Sequence, residues 1–128
     1  MRYLLDTHTL LWFLAGDEKL SGRPRQLIDD PNNEKFLSIA SLWEIAIKVG
    51  LGKLNLSEPF EQMFPEQLHF NNIEMLDITV DSLIKLTTLP FHHRDPFDRL
   101  IIAQGLVEGL PIISVDTIFD TYGINREW

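Results

Sequence analysis

Short apolar runs alternate with longer segments whose apolar residues recur at helical spacing, and this alternation restricts the fold more than any other feature of the chain. YLL at residues 3–5 stops on Asp6 and leads into an amphipathic stretch ended by Gly16. A second short helix is expected from near Ser21 to before Pro31, and KFLSI at residues 35–39 reads as the next strand. In SLWEIAIKVGLGKL, Leu42, Ile45, Ala46 and Val49 lie at helical spacing, and Gly50 and Gly52 end the helix. The polar region 57–72 should hold a further helix, IEMLDIT a strand and VDSLIKLTTL a helix. DPFDRLIIAQGLVEG is then a strong helix, and PIISVD is a buried strand that again ends on an aspartate. Such alternation predicts an α/β fold, a parallel sheet with helices on both faces. Its 128 residues, 45% hydrophobic, suffice for one core and are too few for two, so residues 1–128 are expected to form a single domain.

No window approaches the roughly 18 apolar residues of a membrane span. MRYLLDTHTLLWFLAG imitates a secretory signal, but Asp6 and His8 interrupt it, and we read it as structure. The lack of cysteine excludes disulfides and thiolate chemistry and fits a reducing cytoplasm. A net charge of −8 argues against broad electrostatic adhesion to nucleic acid. Either the partner is not a polyanion, or some of the acids collect on metal ions that reverse the local charge.

The acids themselves decide between these. In open α/β sheets ligands bind at the carboxyl ends of the strands, where strand order reverses. Asp6 and Asp116 both hold such positions, and if their strands are neighbours the two carboxylates share one rim. Each is also a ready helix N-cap. Glu44 fits a capping box with Ser41 and an ion pair with Lys48, yet it also follows a predicted strand closely. Asp95 before Pro96 is a strong helix start, and Asp98 falls at the third helical position, where capping explains it less completely. His92 and His93 lack the partners of a zinc set and are read as loop residues without a special task. Arg99 is expected to be exposed, and Trp12, Trp43 and Phe97 to belong to core or interface. Clustered carboxylates repel one another unless a cation joins them. Mg²⁺ or Mn²⁺, which take oxygen ligands, would turn the same cluster into a docking point for a phosphodiester.

LLDTHTLLWFL, SIASLWEIAIKVGLGKL, HHRDPFDRLIIAQGL and PIISVDTIFDTYG, in this order, resemble the PIN-domain ribonucleases, in particular the toxin of VapBC-type toxin-antitoxin pairs. The resemblance runs from Arg2 to about Gly123. It implies a Rossmann-like, mostly parallel sheet and a Mg²⁺- or Mn²⁺-dependent endoribonuclease that leaves 5′-phosphate and 3′-hydroxyl ends. Carried over residue by residue, the metal-binding and catalytic acids are Asp6, Glu44, Asp98 and Asp116, with Asp95 as a capping residue behind them. A cognate antitoxin that occludes the acidic cleft and a homodimer are implied as well, while the cytoplasmic location is expected from the lack of cysteine. Gly105 departs from the family, which usually has Ala there.

Two other readings stay open at this stage. One is a catalytically inactive PIN-like interaction module, which the presence of all four acids opposes. The other is small-molecule phosphoryl chemistry of the haloacid dehalogenase kind, suggested by DTHT, although His8 stands where that family has a second aspartate.

Overall fold

In the computed structural model, which describes residues 1–128, five strands form one sheet whose pairs are all parallel. The strands are β1 (Arg2–Leu5), β2 (Glu34–Ser38), β3 (Ile73–Leu76), β4 (Ile112–Ile113) and β5 (Arg126–Glu127), in the order β3-β2-β1-β4-β5. β1 is central. Its Leu5 stands opposite Leu37 on one side and Ile113 on the other. After β1 the chain adds strands in one direction, through β2 and β3, and then crosses back to place β4 on the opposite flank. The reversal lies between β1 and β4.

Seven helices cover the sheet: α1 (Thr7–Ala15), α2 (Arg23–Asp29), α3 (Ile39–Gly50), α4 (Phe60–Met63), α5 (Glu66–Phe70), α6 (Val80–Thr88) and α7 (Pro96–Glu108). A 3₁₀ turn, Thr117–Tyr122, precedes β5. Strand periodicity sends successive residues to opposite faces. Leu4, Phe36 and Ile112 pack with Leu100 to Ala103 of α7 and with Phe119. Tyr3, Leu5, Leu37 and Ile113 pack on the other face with Leu10 of α1, Ile28 of α2 and Leu68 of α5. Both faces of β1 are therefore dry, which is why its sequence is a continuous apolar run and not an alternating one.

Several boundaries differ from the sequence reading. α3 begins at Ile39 because the Ser38 hydroxyl accepts from Ala40 N. Ser41 therefore lies inside the helix, and the expected Ser41–Glu44 capping box does not form. Region 57–72 holds two short helices where one was expected, and PIISVD contributes only two paired residues. No helix is long and apolar enough to cross a membrane.

Candidate active site

Each acid singled out in the sequence reaches the same place, the carboxyl edge of the sheet at the β1/β4 reversal. Asp6 follows β1 directly and caps α1, its Oδ1 accepting from Thr9 N at 2.8 Å. Asp116 stands just beyond β4 and caps the 3₁₀ turn through Ile118 N at 3.0 Å. Asp95 caps α7 by accepting from Phe97 N and Asp98 N. Asp98 is thereby placed on the first turn of α7, facing the same opening. Glu44 arrives from the second turn of α3. Asp6, Glu44, Asp95, Asp98 and Asp116 together line a cavity of 430 Å³.

The capping and functional readings of Asp6 and Asp116 are compatible, because one carboxylate oxygen serves the helix and the other is free for a second partner. In Asp6 that second oxygen, Oδ2, accepts from Ser114 Oγ at 2.5 Å. Glu44 is held from two sides. Thr7 Oγ1 donates to its Oε1 at 2.7 Å, and Lys48 Nζ donates to its Oε2 at 2.8 Å, the ion pair expected one turn on. The Thr7 hydroxyl has one proton, so its contact with Ser41 Oγ at 3.0 Å requires Ser41 to donate.

Charge is the decisive property of this cavity. Burial raises the Asp6 carboxyl above its ordinary pKa, against the lowering effect of its bonds from Ser114 and Thr9. Burial, followed by repulsion from Asp95, Asp6, Glu44 and Asp116, pushes Asp98 up to about 7. One residue thus senses the other four acids. Lys48 lines the cavity too, but it is committed to Glu44. The donors are all carboxylate oxygens, the set that hard divalent cations prefer. In chemical type and charge the residues fit Mg²⁺ or Mn²⁺, although no three of the side chains are drawn up around a common point. Like charges without a cation spread apart.

A model of the PIN domain family matches residues 3–125. The chain belongs to the PIN domain family. Solved structures share its fold over almost the whole length. VapBC2 from Rickettsia felis bound to a DNA fragment from their promoter matches with a TM-score of 0.74 at 17% identity, covering 99% of this chain and 98% of the other. DNA-bound VapBC from Salmonella typhimurium matches with a TM-score of 0.69 at 18% identity, covering 99% and 97%. VapBC-1 from nontypeable Haemophilus influenzae gives 0.66 at 17%, again covering 99% and 97%. At these identities the likeness is one of fold. None of the curated proteins matches the chain.

In this PIN domain a larger cavity, of 940 Å³, lies elsewhere, between α5 and β3; its lining holds three acids, Glu66, Glu74 and Asp77, against five at the sheet's reversal point. A second, of 600 Å³, adjoins the acids and shares His8, Trp12 and Lys48 with their cavity. It is lined by apolar residues of α1 and of the segment after α3, among them Leu11, Leu54 and Leu56. The sequence reading passed over Thr7 and Ser114, the residues that hold Glu44 and Asp6. Their signal was adjacency: Thr7 follows Asp6, and Ser114 stands two residues before Asp116. It also placed Arg99 on the surface, whereas the structure buries it to 5% exposure.

Proposed function

We propose that this PIN domain, a single domain over residues 1–128, is a metal-dependent endoribonuclease that hydrolyses RNA phosphodiester bonds at Asp6, Glu44, Asp98 and Asp116. The observation that carries the reading is the gathering of five acids in one cavity at the sheet's reversal point, where burial, followed by repulsion from the other four, raises Asp98 to about 7. Such a cluster costs folding energy, and a bound cation would offset that cost. When bound, Mg²⁺ or Mn²⁺ supplies Lewis acidity toward a phosphate oxygen and lowers the pKa of water.

The chain's own residues do the positioning. Ser114 and Thr9 fix both oxygens of Asp6, and Thr7 with Lys48 fixes Glu44, so these two carboxylates present set orientations. Asp98, raised to about 7, is partly protonated near neutrality, and its ionised form would be the one to hold a cation. Asp95 builds the helix start that carries Asp98. Lys48, paired with Glu44 and 40% exposed, keeps part of its positive charge accessible at the rim beside the acids.

The VapBC complexes among the fold neighbours support a toxin role with a cognate antitoxin. The apolar groove beside the acids suits a protein segment, and one seated there would reach the acid cavity through the residues the two share. A homodimer is favoured by exposed Trp43 and Ile47, one helical turn apart on α3, with exposed Leu51 just past its end, and by exposed Val80, Leu83 and Ile84 on α6. The absence of cysteine and an RNA substrate both suit the cytoplasm.

The test is incubation of the partner-free protein with a small-RNA pool in Mg²⁺ or Mn²⁺, beside an EDTA control and Asp6→Asn. Discrete cleavage lost in both controls is expected. Intact RNA throughout, with no Mn²⁺ binding, would instead identify a non-catalytic interaction module.

A further inference from the structure

Every acid of the cavity except Asp98 is held by at least one group that can only donate. Backbone N–H groups hold Asp95 and Asp116, a backbone N–H and a hydroxyl hold Asp6, and a hydroxyl and an ammonium hold Glu44. The side chain of Asp98 has one partner, Nε2 of His93, at 3.3 Å from Oδ2. With Asp98 ionised and the imidazole neutral, this contact is a hydrogen bond only if the ring proton sits on Nε2, and a neutral imidazole carries its proton on either nitrogen.

The surroundings of Tyr122 make that selection. Its hydroxyl oxygen accepts from Arg99 Nη1 at 3.2 Å and from the backbone N–H of His93 at 3.2 Å. Two accepted bonds occupy both lone pairs, and the hydroxyl proton must point outward to an acceptor. The nearest is His93 Nδ1 at 2.7 Å; the His93 carbonyl lies at 3.4 Å. With Nδ1 accepting, the ring proton of neutral His93 sits on Nε2, directed at Asp98. Arg99 anchors the arrangement. It is always charged, donates to Pro90 O at 2.7 Å and Leu89 O at 3.3 Å, and stacks on the Phe91 ring at 3.9 Å. Its place next to Asp98 on α7 sends one side chain to the cavity and the other into the fold.

We propose that Arg99, Tyr122 and His93 form a relay of directed hydrogen bonds that locks His93 in its Nε2–H tautomer and holds Asp98 in the orientation it presents to the cation. His93 is then a positioning residue, and the inference rests on the reading of the acids as a cation site. It gives a task to two residues of HHRDPFDR, His93 and Arg99, that the four acids leave without one.

The test combines two readouts. Imidazole nitrogen NMR on the metal-free protein in alkaline buffer should show His93 as the Nε2–H tautomer, and Tyr122→Phe should shift it toward a mixture. Mn²⁺ affinity should fall about ten- to a hundred-fold in His93→Ala, the usual cost of losing a group that orients a ligand. His93→Gln, whose amide nitrogen falls near the place of Nε2, should recover most of it, which a purely structural loss would not. An Nδ1–H tautomer in the wild type overturns the lock. Unchanged Mn²⁺ affinity in His93→Ala, with the wild type binding normally, overturns the positioning role. If the wild type binds no Mn²⁺, the cation reading falls and the positioning role falls with it, while the tautomer spectrum still decides the lock.

Discussion

Ser114 and Asp6 are joined side chain to side chain, Oγ to Oδ2 at 2.5 Å, across 108 positions of sequence. The bond ties the end of β4 to the end of β1, at the only point where the sheet changes direction. Ser114 also accepts from Asp116 N at 3.0 Å, so one hydroxyl sets the distance between two acids of the cavity.

Replacing Ser114 by Ala removes the donor and leaves a buried carboxyl with its backbone partner alone. Loss of a buried bond of this kind costs about 1 to 3 kcal/mol. Urea denaturation of Ser114→Ala should show that loss, and calorimetry should show weaker Mn²⁺ binding. An unchanged midpoint would mean that the hydroxyl contributes nothing to the junction.

Asp98 makes the metal-free protein sensitive to pH in a direction unusual for a carboxylate. Its folded pKa of about 7 lies above the ordinary 3.8, so between these values the folded state keeps a proton that the unfolded state has lost. Its stabilising contribution is complete below 3.8 and disappears as pH rises through about 7. Asp98→Asn should therefore melt on the order of 5 °C higher than wild type at pH 8, and the gap should narrow toward pH 4. Equal melting curves at pH 8 in chelated buffer would contradict the cost of burying an ionised Asp98 beside four other acids.

Divalent metal should act in the opposite sense to that cost. A cation that binds only the folded state adds about 2.7 kcal/mol when present at one hundred times its dissociation constant. Thermal melts in Mn²⁺ should rise accordingly, return to baseline with EDTA, and stay at baseline in Asp6→Asn. A rise of equal size in that variant would place the binding elsewhere on the surface.

Gly105 bears on packing. In a helix interior Ala is ordinarily better than Gly by about 1 kcal/mol. A Cβ at Gly105, however, would stand 3.1 Å from Leu110 O and Ile124 Cδ1 and 3.3 Å from Ile112 Cδ1. Crowding of this kind costs about 1 to 3 kcal/mol. Gly105→Ala should therefore lose roughly 1 kcal/mol by the balance of these effects, measured by denaturant titration. A gain in stability would show that β4 yields to α7.

The acids were legible because strand ends and helix starts are local signals. Asp6 after YLL and Asp95 before Pro96 announce themselves within four residues, and their shared edge follows from the rule for parallel sheets. Of what holds those acids, the Lys48–Glu44 pair was legible because it is local, whereas the bonds from Thr7 and Ser114 are made at long range. Ser38 and Ser41 are equally good caps in sequence, and the choice of Ser38 accompanies its bond to Gln104, 66 residues on. Arg99 reads as a surface residue until the loop at Leu89 and Pro90 supplies carbonyls for its guanidinium. β5 left no pattern, since two residues are too few for any period.

The central place of β1 also governs when the acid cavity comes into being. During synthesis β1 leaves the ribosome first, yet its neighbour β4 and the last acid, Asp116, follow more than a hundred residues later. Parallel pairing over such separations closes late. A nascent chain that has not released Asp116 carries an unfinished acid set, and the cavity can be completed only after translation has passed that residue.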